Sequence, residues 1–330
     1  MSETLVVAPS WIGDAVLSHP LLVRLKARDP GGAVDVLAPA WAAAVYDRMP
    51  EVRRTIPFPF GHGQLQIAGR RRFARGLPRY HRAVVLPGSL KSALVPWFAG
   101  IAIRTGWRGE MRYGLLNDLR RLDEEALPLI VERYAALAQP VGESLERPVP
   151  PPRLAVDAAR RDAARDKFGL DAIAPVLALA PGAEYGPAKR WPVRHFAALV
   201  REHARRGFQC WAFGSAKDAA ITAELAALAG VPVVDMAGRT SLAEAIDLLS
   251  VAERVVTNDS GLMHVAAALD RPMAAVFGSS SPAHTPPLSP KARVVSLTLA
   301  CSPCFERECP LGHTDCLEKL DPARVLSALD

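Results

Sequence analysis

No run of 18 apolar residues occurs in this 330-residue chain, so no helix can cross a bilayer by itself. The two most apolar stretches, 173–183 and 92–103, are short and broken by proline. The N-terminus carries Glu3 and lacks a basic run, so it does not read as a signal peptide, and a soluble cytoplasmic protein is expected. The common nucleotide and hydrolase signatures are also missing. There is no G-x-x-x-x-G-K-[ST], no G-x-G-x-x-G, no H-E-x-x-H and no G-x-S-x-G. A P-loop and the usual dinucleotide fingerprint are therefore excluded, and an NAD-type dehydrogenase is disfavoured. Aromatic residues make up only 6% of the chain, but 50% of it is hydrophobic, which excludes a disordered polymer. The length suits two domains.

The net charge of +6 hides an uneven distribution. Between Arg53 and Arg121 stand fourteen Lys or Arg against two acids, Glu110 and Asp118, a local excess of +12 that leaves −6 for the remainder. Such an excess, with a pI near 9.2, raises nucleic-acid binding as a hypothesis. No helix-turn-helix, RRM or zinc-finger pattern accompanies it, so no nucleic-acid partner is expected. Basic positions interleaved with Phe73, Tyr80, Trp97 and Phe98 suit an anionic glycolipid and a negative membrane surface better.

Short β-rich runs alternate with helical stretches along the chain. Thr4–Pro9 precedes a helix-compatible Ala15–Lys26, then Val34–Ala38 and a helical Trp41–Arg48, and Ala83–Leu86 precedes Ser92–Ile101. After the proline-rich Gln139–Pro152 the alternation restarts. Strands are expected at Val176–Ala180, Phe208–Phe213, Val231–Val234, Arg254–Thr257 and Met273–Phe277. Helices are expected at His195–Arg206, Ala219–Ala229, Leu242–Val251 and Leu262–Leu269. This pattern predicts an α/β protein of two doubly wound, Rossmann-like domains, 1–155 and 156–330, with ligands outside the carboxyl ends of the strands and in the cleft between domains.

Three strand-to-helix turns could carry chemistry. In Pro9-Ser10-Trp11-Ile12-Gly13-Asp14, Asp14 is either a helix cap or a carboxylate base that the helix dipole keeps ionised. In Arg254–His264, Ser260 and Gly261 offer backbone N–H groups at a helix start, which suits a phosphate or diphosphate. His264 is either a further donor to that group or a core histidine. Asp259, oddly placed beside an anion, either orients the turn or accepts bonds from a sugar. In Pro181–Pro192, Lys189 and Arg190 bring two cations to a strand end, or form a solvated pair with Trp191 in the core. The loops Phe213–Asp218 and Met236–Ser241 could hold a base or ribose. A carboxylate base in one domain and a diphosphate site in the other suit glycosyl transfer from a nucleotide sugar.

The blocks Ala8–Asp14, Arg104-Thr105-Gly106-Trp107-Arg108-Gly109-Glu110-Met111-Arg112-Tyr113-Gly114, Pro181–Pro192 and Thr257–Ala267 resemble glycosyltransferase family 9, the ADP-heptose:lipopolysaccharide heptosyltransferases. Within it they resemble most the branch that adds the second heptose, over nearly the whole chain to about Arg293. The resemblance implies a GT-B architecture with an acceptor domain (1–155) holding the base and a nucleotide-sugar domain (156–330). It also implies an inverting transfer of L-glycero-D-manno-heptose from ADP-heptose onto the first heptose of the lipopolysaccharide inner core. Transfer onto Kdo, as in the first heptosyl step, and a non-catalytic nucleotide-binding module are the alternatives. The resemblance puts the base on Asp14 and donor contacts on Lys189, Asp259, Ser260, Gly261 and His264, with Thr240 toward the nucleoside. Ser10, Lys91 and Arg108 are placed at the acceptor, heptosyl-Kdo2-lipid A, on the inner face of the inner membrane, where the enzyme is peripheral. No cofactor and no catalytic metal are implied, and no Asp-x-Asp occurs upstream.

Cys301, Cys304, Cys309 and Cys316 form a C-x2-C-x4-C-x6-C cluster near His313, while Cys210 stands apart. Structural zinc, a disulfide pair and free thiols remain open for the cluster, and none is expected to be catalytic.

Overall fold

The computed structural model describes residues 3–61, 63–170 and 173–330. It separates into two compact units, Met1–Pro152 and Arg153–Asp330, the division falling at the end of the proline-rich stretch and three residues before the expected 155/156 boundary.

The first unit holds a six-stranded parallel sheet of β1 (Glu3–Val7), β2 (Ala33–Pro39), β3 (Arg54–Phe58), β4 (Arg82–Val85), β5 (Ile103–Trp107) and β6 (Asp118–Arg120). Its order is β3-β2-β1-β4-β5-β6. The helices are α1 (Ile12–Leu17), α2 (His19–Arg28), α3 (Ala43–Tyr46), α4 (Ile67–Arg75), α5 (Leu90–Phe98) and α6 (Ile130–Ala136). The second unit repeats the plan with β7 (Val176–Ala180), β8 (Gln209–Ala212), β9 (Val234–Asp235), β10 (Arg254–Asn258), β11 (Met273–Phe277) and β12 (Ala292–Ser296), in the order β12-β11-β10-β7-β8-β9. Its helices are α7 (Ala158–Lys167), α8 (Val193–Arg205), α9 (Ala219–Ala229), α10 (Leu242–Leu249), α11 (Gly261–Ala268), α12 (Asp315–Glu318) and α13 (Pro322–Leu329). Both units are Rossmann-like. In each the strand order reverses beside the first strand, at β1/β4 and at β7/β10, where a parallel sheet opens a crevice for ligands.

The central strands are apolar throughout because helices cover both faces: every residue of β7 and β11 is buried. On α8, Phe196, Ala197, Leu199, Val200 and His203 fall on one buried stripe, while Arg194, Arg201 and Arg205 lie outside it. Ser241 and Glu244 close a reciprocal box at the start of α10, with the Glu244 carboxylate accepting the Ser241 N–H at 2.7 Å and the Ser241 hydroxyl accepting the Glu244 N–H at 3.2 Å.

Local chemistry changed several expected elements. Ala15–Lys26 is not one helix: Pro20 has no N–H to bond back, and the chain divides at Ser18 into α1 and α2. Trp41–Arg48 contracts to the four residues of α3, and the strand expected at Val231–Val234 shrinks to β9. The outer strands β3, β5, β6 and β12 and the arginine-rich α4 lacked an apolar period to announce them.

Candidate active site

In the first unit, β1 ends at the reversal point and turns directly into α1. Asp14 is the third residue of α1; Trp11 occupies the cap position and no side chain caps the helix. A helix-capping role for Asp14 is therefore set aside. The side chain is half-buried, and desolvation pushes its carboxyl up from 3.8 to about 6. The dipole is expected to keep this group ionised; burial raises its pKa instead, yet a carboxyl at about 6 is still ionised at neutral pH. Its charge is felt by Tyr46 on α3 and Tyr134 on α6, whose phenols are pushed upward, first by their own burial and then by Asp14. Tyr46 is further tied to Ser18, with the two hydroxyls 3.1 Å apart. Sequence reasoning missed both tyrosines, because each reaches Asp14 from a different helix.

The acceptor candidates also lie at carboxyl ends of strands of this sheet. Ser10 is exposed just after β1, and its carbonyl accepts the Trp41 indole N–H at 2.8 Å. Lys91 stands in the first turn of α5, after β4. Arg108 is exposed after β5, on a loop bound to the segment that precedes α5. There the Glu110 carboxylate accepts the Leu90 N–H at 2.7 Å, and the Glu110 N–H reaches the Gly88 carbonyl at 3.0 Å. The close approach requires glycine: a Cβ on Gly109 would lie 2.3 Å from the Gly88 oxygen.

The wider basic group does not act as one surface. Arg70 is buried, donates to the carbonyls of Leu65, Gln64 and Lys91, and stacks on Phe58 and Phe60 at 5.0 and 4.6 Å. Arg112 is likewise buried and donates to the Pro87 and Trp107 carbonyls. Arg53 and Arg54 pair with the fully buried Asp35. Arg82, Arg104 and Arg120 donate to backbone carbonyls. These are structural arginines, which bind otherwise unsatisfied carbonyls and acids. Arg71, Arg72, Arg75, Arg79, Arg108 and Arg121 remain exposed.

In the second unit the turns after β7, β10 and β11 come together. Lys189, on the loop after β7, places Nζ 2.5 Å from Asp259 Oδ2 and 5.0 Å over the Tyr185 ring. The Ser280 hydroxyl, after β11, donates to the same carboxylate oxygen at 2.5 Å. Asp259 thus holds the Lys189 cation in place, which gives the acid at that point a structural partner. Ser260 stands at the cap position of α11 without capping it by its side chain, and Gly261 begins the helix. α11 thus starts at the reversal point, and the first-turn N–H groups of a helix lack i−4 partners. His264 is buried one turn further on. Desolvation lowers its pKa from 6.5 to about 4, outweighing the opposite pull of Asp259, so the imidazole is neutral at physiological pH. Trp191 is a core residue, its indole N–H bonded to the Leu320 carbonyl at 3.0 Å, and Arg190 reaches the Ala183 carbonyl at 3.3 Å. Of the two cations expected here, Lys189 alone pairs with the Asp259 carboxylate.

Thr240 stands apart, on the loop between β9 and α10, with Oγ1 3.4 Å from the Met236 carbonyl. That loop is tied to the loop after β8 by the Gly238 N–H, which reaches the Gly214 carbonyl at 3.1 Å. Asp218 fills the space under Gly182 and Gly214, where a Cβ on either would collide with it at 2.3 and 2.7 Å. Sequence reasoning missed Ser280, and gave Tyr185 and Asp218 no role although both lie in turns it singled out. The small-residue run Gly278-Ser279-Ser280 after a buried strand was the available signal for the first.

None of the five cysteines forms a disulfide, and Cys210 is buried in the core cluster with its thiol pushed up to about 12. No helix among the described residues is long and apolar enough to cross a membrane.

The family model described as Glycosyltransferase family 9 (heptosyltransferase) matches residues 70–315. The chain is 47% identical to lipopolysaccharide heptosyltransferase 2 of Escherichia coli strain K12, covering 99% of this chain and 97% of that protein. It is 44% identical to lipooligosaccharide heptosyltransferase 2 of Haemophilus influenzae, over 89% of this chain and 88% of that one. Among solved structures, the E. coli ADP-heptose lps heptosyltransferase II superposes with a TM-score of 0.90 at 45% identity, covering 99% of this chain and 97% of that one.

Proposed function

The chain belongs to glycosyltransferase family 9, and from that premise we propose how its residues carry out heptosyl transfer in lipopolysaccharide assembly. The fold is of the GT-B kind, the function is that of a second-step heptosyltransferase, and the substrates are a nucleotide sugar and a lipopolysaccharide acceptor.

The donor is ADP-heptose, the nucleotide sugar after which the E. coli neighbour is called. The acceptor is the first heptose of heptosyl-Kdo2-lipid A. Asp14 takes the proton from the acceptor hydroxyl as that oxygen attacks the anomeric carbon from the face opposite ADP. The configuration inverts in a single displacement. A carboxylate whose pKa is about 6 is a stronger base than an ordinary aspartate and is still ionised at neutral pH. The departing ADP carries growing negative charge on its diphosphate. Lys189 and the N–H groups at the start of α11 stabilise that charge, and the neutral His264 adds one N–H donor. Asp259 and Ser280 hold Lys189 in position before the donor arrives. Thr240 contacts the nucleoside, and Ser10, Lys91 and Arg108 contact the acceptor.

The observation that carries the mechanism is Asp14: a carboxylate at the reversal point of the first sheet whose burial raises its basicity. The protein acts in the cytoplasm, peripheral on the inner face of the inner membrane. Exposed Arg71, Arg72 and Arg75 of α4, beside exposed Ile67 and Trp97, form the face that meets anionic lipid. The decisive assay follows ADP release from ADP-heptose with Kdo2-lipid A and with its heptosylated form. Release that requires the heptosylated acceptor supports the reading. Turnover on the unheptosylated acceptor alone makes it a first-step enzyme, and no acceptor-dependent release makes it a binding module.

A further inference from the structure

Four thiols take no part in the mechanism above. Cys301, Cys304, Cys309 and Cys316 line one small cavity, together with His313 and Ala188. Three of them lie on segment 297–314, which has neither helix nor strand. Stretches this long and irregular inside a compact domain need something other than regular hydrogen bonding to hold them. The fourth, Cys316, is on α12, where its neighbour Leu317 is fully buried against the core. The Cys309 sulfur accepts the Thr314 N–H at 3.4 Å.

The same segment supports the donor loop. The Tyr185 hydroxyl donates to the Phe305 carbonyl at 2.7 Å, and the Ala188 N–H to the Arg307 carbonyl at 3.0 Å. A Cβ on Gly186 would lie 2.4 Å from that Arg307 oxygen. The Arg307 guanidinium and the Lys189 ammonium both lie over the Tyr185 ring, at 5.1 and 5.0 Å.

We propose that Cys301, Cys304, Cys309 and Cys316 bind one thiophilic divalent cation, with zinc as the type, and that this clip holds segment 297–314 against the loop bearing Lys189. Four thiolates around one ion are the usual donor set of a structural zinc site. Among the described residues no three His, Cys, Asp or Glu side chains already stand as a ligand set, so binding turns the thiols inward from the cavity wall. Each thiol that ligates gives up its proton to solvent, so uptake of the ion releases acid. The metal site itself is independent of the proposed donor chemistry; its effect on ADP binding rests on the assignment of Lys189.

The test uses the full-length protein purified without chelator. Elemental analysis should find one metal ion per chain, and Co2+ added to stripped protein should give a thiolate-to-cobalt absorption band. Cys304→Ser and Cys316→Ser should each lose both signals. Stripping the unaltered protein should weaken ADP binding about tenfold in calorimetry, the size expected when two supporting hydrogen bonds are loosened, and Zn2+ should restore it. Protein that carries no metal, gives no cobalt band and titrates four free thiols in the folded state overturns the site. One bound ion with unchanged ADP affinity after stripping overturns the clip. Loss of ADP affinity on stripping, with none in Lys189→Ala, refutes the donor assignment and leaves the metal site standing.

Discussion

Asp14→Asn separates catalysis from stability at one atom. The folded carboxyl titrates at about 6 against an ordinary 3.8 because burial disfavours its charge. A displacement of about two pH units corresponds to about 3 kcal/mol between the protonation states. The raised value means that the native state holds the proton more tightly than the unfolded chain does. That stabilisation is fully present below about pH 4 and is lost as pH rises through about 6, so near pH 8 the native state carries the whole penalty of an ionised, poorly hydrated carboxylate. The isosteric amide has no such penalty. From pH 4 to pH 8 the variant should therefore gain up to about 3 kcal/mol relative to the parent, several degrees of melting temperature for a unit of this size. Transfer should fall by about 10²–10⁴, the usual contribution of a general base. In the parent, kcat/KM should fall tenfold per pH unit below about 6, leaving about a tenth of the plateau at pH 5. Thermal melts at both pH values and a pH–rate profile read these effects. A flat rate down to pH 5, or an Asn variant no more stable relative to parent at pH 8 than at pH 4, would refute the burial argument.

Three further outcomes follow from the donor site and the basic face. Lys189→Ala leaves the Asp259 carboxylate in a buried site without its cation, so it should lower the melting temperature as well as ADP affinity; adding Asp259→Asn should recover the first and not the second, by melting and calorimetry. Because burial lowers His264 to about 4, the imidazole gains no charge between pH 5 and 8, and NMR of its ring protons should show no titration across that range. Arg70→Ala should destabilise the fold by several kcal/mol in urea unfolding, since it orphans three carbonyls and two stacked rings, whereas Arg71→Glu with Arg72→Glu should keep stability and lose binding to anionic vesicles.

Much of the fold is legible in the sequence because parallel strands covered on both faces must be apolar over their whole length. Val176–Ala180 and Met273–Phe277 are strands in the structure at the expected positions. β12 faces solvent at four of five positions to some degree, and β3 mixes Arg54 and Pro57 into its run, so neither announced itself. The candidate site is proposed from the same topology: glycine, serine and acid at strand exits are readable residue by residue. The side chains that set their electrostatics are not, since Tyr134 comes from a distant helix and Ser280 from a distant turn. Arginine was the most misleading residue type, because a sequence shows its charge and not whether that charge is spent on carbonyls.

Composition and periodicity alone determine that this chain folds as two doubly wound α/β units, and turn residues mark candidate positions at the strand exits. Apolar period and turn residues are local properties, and local sequence carries them. Tertiary structure decided three things: that Asp14 is a raised carboxylate and not a cap, that Lys189 is held by Asp259 and Ser280, and that much of the basic excess is structural. Each depends on dehydration or on a partner brought close by folding. Only packing settles how much water and which opposite charge a group keeps.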